Sequence, residues 1–152
     1  MTTNNEETSM NLPGVDIEYL FGFLKDMLNT PSPTGFAHQA IERIEKELSA
    51  YPFLEMWHTR KGSLMAVWRV EGSTAPRALT AHADTLGAMV KEIKSSGRLK
   101  MTKIGGFAWN TIEGEGCTVF AGRGQPVRGS ILLTEASGHV HGNARLRGWP
   151  VG

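Results

Sequence analysis

The hydrophobic pattern changes period near residue 50, and that change dictates a two-part chain. Before it, Ile17, Leu20, Phe21, Leu24, Met27 and Leu28 recur at spacings of three and four, as do Phe36, Ala40, Ile41, Ile44 and Leu48. Such spacing lines one face of a helix. After it, apolar residues come in short runs cut by glycine. Of 18 glycines, Gly14, Gly22 and Gly35 alone precede residue 60. The remainder crowd a second part that reads as strands and turns.

Residues 1–13 form a polar lead, expected to be flexible, that ends at Pro13-Gly14. Asp16 is a side-chain cap for a helix running through Leu28. The stretch Asn29-Thr30-Pro31-Ser32-Pro33-Thr34-Gly35 stops it, because each proline restricts the residue before it. A second helix is expected from Phe36 to Ala50, with Glu42, Arg43, Glu45, Lys46 and Glu47 on a solvated face. Three hairpins follow: Leu54–Thr59 with Ser63–Val70, Ala88–Lys94 with Arg98–Ile104, and Cys117–Ala121 with Val127–Thr134. Between the first two, Arg77–His82 reads as a short buried strand carrying Ala78, Leu79 and Ala81. Two helices followed by strands predict an α/β layer, with a separate small β unit beginning near Thr85-Leu86-Gly87.

Composition narrows the function. The 152 residues suit one domain or two small ones, and 40% apolar with 20% charged residues is globular usage. A net charge of +1 gives no field that would select nucleic acid or an anionic membrane. No apolar run approaches the ~20 residues of a membrane span. Met1–Met10 lacks the basic and apolar regions of a secretory signal. One cysteine, Cys117, makes no internal disulfide, so a reducing, cytoplasmic setting is the expectation.

Candidate chemistry is sparse. His82-Ala83-Asp84 lies at the expected C-terminal end of a strand, where open α/β sheets place their sites. Imidazole is a common metal ligand. A carboxylate two positions on, sharing the same strand face, either ligates too or fixes the histidine tautomer. The bland alternative is a chance three-residue pattern. His139-Val140-His141 is a second histidine pair, more economically read as a polar strand end because no third ligand is near. Cys117 reads as a small buried residue and Glu113/Glu115 as a solvated acidic turn. No phosphate-binding glycine loop and no Gly-x-Ser-x-Gly elbow is present. A glycoside hydrolase finds no suitable carboxylate pair.

Taken in order, Asn29-Thr-Pro-Ser-Pro-Thr-Gly35, Thr59-Arg-Lys-Gly62, Leu79-Thr-Ala-His-Ala-Asp-Thr-Leu-Gly-Ala-Met-Val-Lys91, Gly97-Arg-Leu99 and Ile104-Gly-Gly106 carry a family likeness. Over residues 15 to 143 the chain resembles the N-terminal part of the tetrahedral aminopeptidases, the glutamyl and deblocking aminopeptidases that use two divalent metals. The resemblance implies a layered α/β metallopeptidase domain interrupted by a small β-barrel dimerisation domain. It places the first part of the peptidase domain at residues 14–86 and part of the barrel at 87–143. It makes His82 a metal ligand and counts Asp84 with the catalytic groups because it orients that histidine. It implies zinc, cobalt or manganese as cofactors, a peptide substrate, and dimers that build a tetrahedral dodecamer.

The departures matter as much. Relatives are more than twice as long, and their remaining ligands and general base lie beyond the barrel, with no counterpart here. Residues 144–152 have lost the resemblance, as a frameshift near Ala144 or a natural remnant would produce. One histidine supplies one of the roughly four bonds a zinc ion needs, and two-metal hydrolysis needs a bridged pair of ions. The expectation is therefore a chain from an aminopeptidase that is inactive alone. The alternative is a non-catalytic interaction module that pairs through its hairpins.

Overall fold

The computed structural model describes residues 14–122, 124–132 and 139. They form a mixed α/β chain with two helices, α1 (Ile17–Asn29) and α2 (His38–Leu48). Six strands follow: β1 (Leu54–His58), β2 (Leu64–Trp68), β3 (Gly87–Ile93), β4 (Leu99–Ile104), β5 (Gly116–Val119) and β6 (Val127–Ser130). A short 3-10 turn covers Trp109–Thr111. The chain divides into two compact units, Met1–Gly105 and Gly106–Gly152.

Helix α1 begins where the sequence caps it. The Asp16 carboxylate accepts the Tyr19 N–H at 3.0 Å, satisfying one of the amides that a helix start leaves free. Helix α2 is shorter than its periodicity suggests and has no side-chain cap at Ala37. Ala40 is fully buried on it.

The way α1 meets α2 corrects the reading of the charged face of α2. The apolar stripe of α1 is largely exposed: Ile17, Leu20, Phe21, Leu24 and Leu28 all stand in solvent. The helices are joined by the next stripe round. The Tyr19 hydroxyl donates to Glu47 Oε1 at 2.7 Å, and Arg43 reaches Asp26 Oδ2 at 3.2 Å and Glu47 Oε2 at 2.6 Å. The Arg43 guanidinium also lies over the Phe23 ring, 4.9 Å from its centroid. A planar cation that pairs with two carboxylates and stacks on a ring satisfies several partners at once. Two members of the expected solvated face, Arg43 and Glu47, therefore tie the helices together. Glu45 pairs with His58 at 3.2 Å. Glu42 and Lys46 are exposed as expected.

The strands form three separate antiparallel pairs, β1–β2, β3–β4 and β5–β6. In the first, Met56 opposes Ala66, and the turn closes with Thr59 N–H to Ser63 O at 2.9 Å. In the second, Val90 opposes Met101, and a bulge between Val90 and Glu92 shifts the register. In the third, Cys117 opposes Gly129. Arg123, within the expected third turn, lies outside the described residues. All three hairpins fall where alternation and turn residues place them.

The expected strand Arg77–His82 is not formed. Residues 76–84 have no regular structure, Leu79 is fully exposed, and Ala78 and Ala81 are exposed too. A strand exists only where a neighbour takes its backbone hydrogen bonds, and no described strand lies beside this one. Among the described residues Ala40 is the fully buried apolar residue. A core of the size that the chain length permits is not assembled by them.

Candidate functional site

The site is built where a loop crosses the start of a strand. The proline-rich loop between α1 and α2 lies alongside the segment leading into β3, and Pro33 and Thr85 form a parallel bridge. Thr34 N–H donates to Thr85 O at 3.3 Å, and Thr85 N–H donates to Ser32 O at 2.8 Å. Ser32 is buried here at 2% exposure. Gly35 turns the chain out of the crossing with φ +89°, a region that favours glycine. Gly87 permits the crossing in another way. A Cβ there would lie 2.6 Å from Pro33 Cβ, so a side chain is excluded by the close approach itself.

This crossing carries Asp84 between two partners. One carboxylate oxygen, Oδ1, is 3.0 Å from His82 Nδ1, and the other, Oδ2, accepts the Thr34 hydroxyl at 2.5 Å. The Asp84 backbone carbonyl is also 3.2 Å from His82 Nδ1. Both groups facing that nitrogen are acceptors, so Nδ1 carries the hydrogen and the neutral ring keeps its lone pair on Nε2. The His82 side chain is 86% exposed, and Asp84 is about half as open. The Thr34 hydroxyl first, and His82 second, hold the Asp84 carboxyl below the ordinary aspartate range. An ionised acceptor behind a histidine is the arrangement that fixes a metal-binding imidazole and raises its basicity.

The residues fit one ligand position for a divalent ion, with Nε2 of His82 as the donor. They do not fit a complete ion site: among the described residues no group of three or more His, Cys, Asp or Glu side chains is placed to hold a metal.

The other candidates belong to the second unit. His139 is exposed, and His141 and residues 144–152 lie outside the described residues. Cys117 is a half-buried free thiol on β5. Glu113 and Glu115 flank the turn where Ile131 N–H meets Glu115 O at 2.9 Å. Sequence reading gave Thr34 no part in the site. It lies 50 residues from Asp84, and no spacing rule joins them. No helix among the described residues is long and apolar enough to cross a membrane.

The pattern of the M42 glutamyl aminopeptidases matches residues 62–147, which include His82 and Asp84. YhfE of Bacillus subtilis (strain 168), whose name assigns it provisionally to the aminopeptidases, is 44% identical over 121 residues, or 80% of this chain and 35% of its own length. SgcX of Escherichia coli (strain K12), named in the same way, is 38% identical over 81 residues, 51% of this chain and 21% of its own. The crystal structure of a TET aminopeptidase from the marine sediment archaeon Thaumarchaeota archaeon SCGC AB-539-E09 shares the fold, with a TM-score of 0.67 at 23% identity. It is matched over 77% of this chain and 32% of its own. The chain thus spans about a third of the length of YhfE and of the TET structure. The family match covers more than half of its residues, and the chain belongs to the M42 glutamyl aminopeptidase family.

Proposed function

We propose that these residues supply the first metal ligand, with its orienting carboxylate, to a co-catalytic metallo-aminopeptidase that removes N-terminal residues from peptides. The observation that carries this reading is the His82 imidazole, held at Nδ1 by Asp84 and left open at Nε2, inside the segment that the family pattern matches. The bound metals would polarise the scissile carbonyl and activate water. The part of this chain is to present Nε2 with its lone pair outward and to keep Asp84 ionised behind the ring. Zinc, cobalt and manganese all suit an imidazole donor. Residues 14–86 are the first part of the peptidase domain in this reading. Residues 87–143 are part of the inserted barrel through which relatives dimerise and build the tetrahedral particle. A cytoplasmic setting accords with the single cysteine.

These 152 residues alone are inactive in this reading, because the other ligands and the general base come from polypeptide outside them. The test is hydrolysis of an aminoacyl p-nitroanilide by the purified chain with added zinc, cobalt or manganese, beside His82→Ala. Absence of turnover in both agrees with the proposal. Metal-dependent turnover that His82→Ala abolishes would show a complete site and overturn the inactivity. The ligand role itself is tested in an intact M42 subunit, where alanine at the histidine corresponding to His82 should release zinc; full retention of zinc there would remove the role.

A second reading is an interaction module without catalysis. The three two-stranded sheets favour it, since each leaves strand edges unpaired within its own sheet, and such edges accept further strands. Stable co-purification with an intact M42 subunit, unchanged by His82→Ala, would favour this role over the first.

A further inference from the structure

We infer that Thr34 is a positioning residue for the histidine: its hydroxyl fixes the rotation of the Asp84 carboxylate, and the carboxylate in turn fixes which nitrogen of His82 is free. This rests on the reading of His82 as the ligand only for its use, not for its geometry. An aspartate carboxylate turns easily about its last bond, because that torsion is broad. One hydrogen bond to His82 would leave Asp84 free to swing. Two bonds to opposite oxygens, 3.0 Å to His82 and 2.5 Å to Thr34, define its plane.

Thr34 can impose that plane because its own backbone is fixed. The bridge joins Pro33 to Thr85, and the Thr34 N–H is bonded to Thr85 O. The hydroxyl and the carboxylate are thus carried by adjacent residues on the two sides of one backbone ladder. Pro33 has a locked φ, and threonine is restricted at χ1. The donor approaches Asp84 with little freedom left to lose. The hydroxyl has a proton to give and the carboxylate has none, so the direction of the bond is settled.

The test is the tautomer of His82, read from the ring nitrogen shifts of 15N-histidine-labelled chain at pH 8, with His82→Gln to assign the signal. The expected result is an Nδ1–H ring in the wild type. In Thr34→Val, which keeps the shape and removes the donor, the balance should move toward Nε2–H by at least about threefold, the scale of one modest hydrogen bond. Thr34→Ser, which keeps the donor, should restore it. Exchange of the Thr85 amide with solvent separates this from loss of the loop, and it should be the same in all three. A Thr34→Val ring with the wild-type tautomer would overturn the inference. So would a tautomer change that comes only with loss of Thr85 protection and that Thr34→Ser fails to reverse. The ligand reading is tested separately in an intact M42 subunit: zinc fully retained there after alanine replaces the histidine corresponding to His82 would refute the ligand role and leave the positioning role standing.

Discussion

Gly87→Ala tests the crossing on which the site depends. The added methyl would lie 2.6 Å from Pro33 Cβ, about 1 Å inside the ~3.5–4.0 Å at which two carbons rest. Gly87 does not have a positive φ, so alanine meets no backbone penalty and the whole effect comes from this contact. The proline ring cannot rotate away. Relief must come from separating the two segments, at the expense of the Thr34–Thr85 and Thr85–Ser32 backbone bonds at 3.3 and 2.8 Å. Each such bond is worth about 1 kcal/mol net, and one excess methyl in a fitted site costs about 1–3 kcal/mol. The expected loss is about 2 kcal/mol. That corresponds to roughly 30-fold faster exchange of the Thr85 amide. If the first unit unfolds as one body, its midpoint falls by roughly 8–16 °C. Amide exchange by NMR is the sharper assay, since it reports the bridge itself. Unchanged exchange at Thr85 together with an unchanged midpoint would refute the close approach and the argument built on it.

The same substitution at Gly22 should act in the opposite direction: nothing lies within 4 Å of its added methyl, and alanine in a helix interior gains about 0.5–1 kcal/mol over glycine, read as a higher urea midpoint. Asp16→Ala removes the cap on the Tyr19 amide and should cost about 0.5–1 kcal/mol, visible as faster exchange in the first turn of α1 while α2 is unchanged. Acid should loosen the α1–α2 clasp. Arg43 first, and then the Tyr19 hydroxyl, hold the Glu47 carboxyl below its ordinary value of 4.5. Its contribution is therefore complete above that value and is lost as pH falls through the lower folded one. The ring-current shift of the Arg43 side chain over Phe23 should follow this loss, and Glu47→Gln should flatten that acid limb; an Arg43 shift insensitive to acid would contradict the assignment.

What was legible in the sequence is what local geometry decides. Asp16 caps α1 because its carboxylate and the Tyr19 amide are three residues apart, a distance fixed by the helix. The hairpins stand where alternation and glycine put them because each strand finds its partner within one turn. The apolar stripe of α1 shares one face, as its spacing requires, yet that face is exposed. Periodicity shows which residues share a face, but Arg43 decided which face α2 would meet, by pairing with Asp26 and Glu47 and covering Phe23. Arg77–His82 failed for a related reason. Its composition suits a central strand, yet a strand is a relation between segments, and none of the described segments accepts its hydrogen bonds.

The candidate site divides along the same line. His82 and Asp84 could be singled out together because a gap of two residues lets one reach the other. Thr34 could not, because it arrives from 50 residues away. The device that brings it there is an absence, the missing side chain of Gly87, which lets Pro33 close on β3 and hands the Thr34 hydroxyl to Asp84. In the sequence that glycine looks like the others in a turn-rich region. Its function as a contact appears only when the loop is folded against it. The chemistry of His82 therefore depends on a position that carries no chemistry, and Gly87→Ala should disturb the His82 tautomer as well as the bridge. If Thr85 protection falls in that variant while His82 stays Nδ1–H, then the carboxylate is held by something other than the crossing.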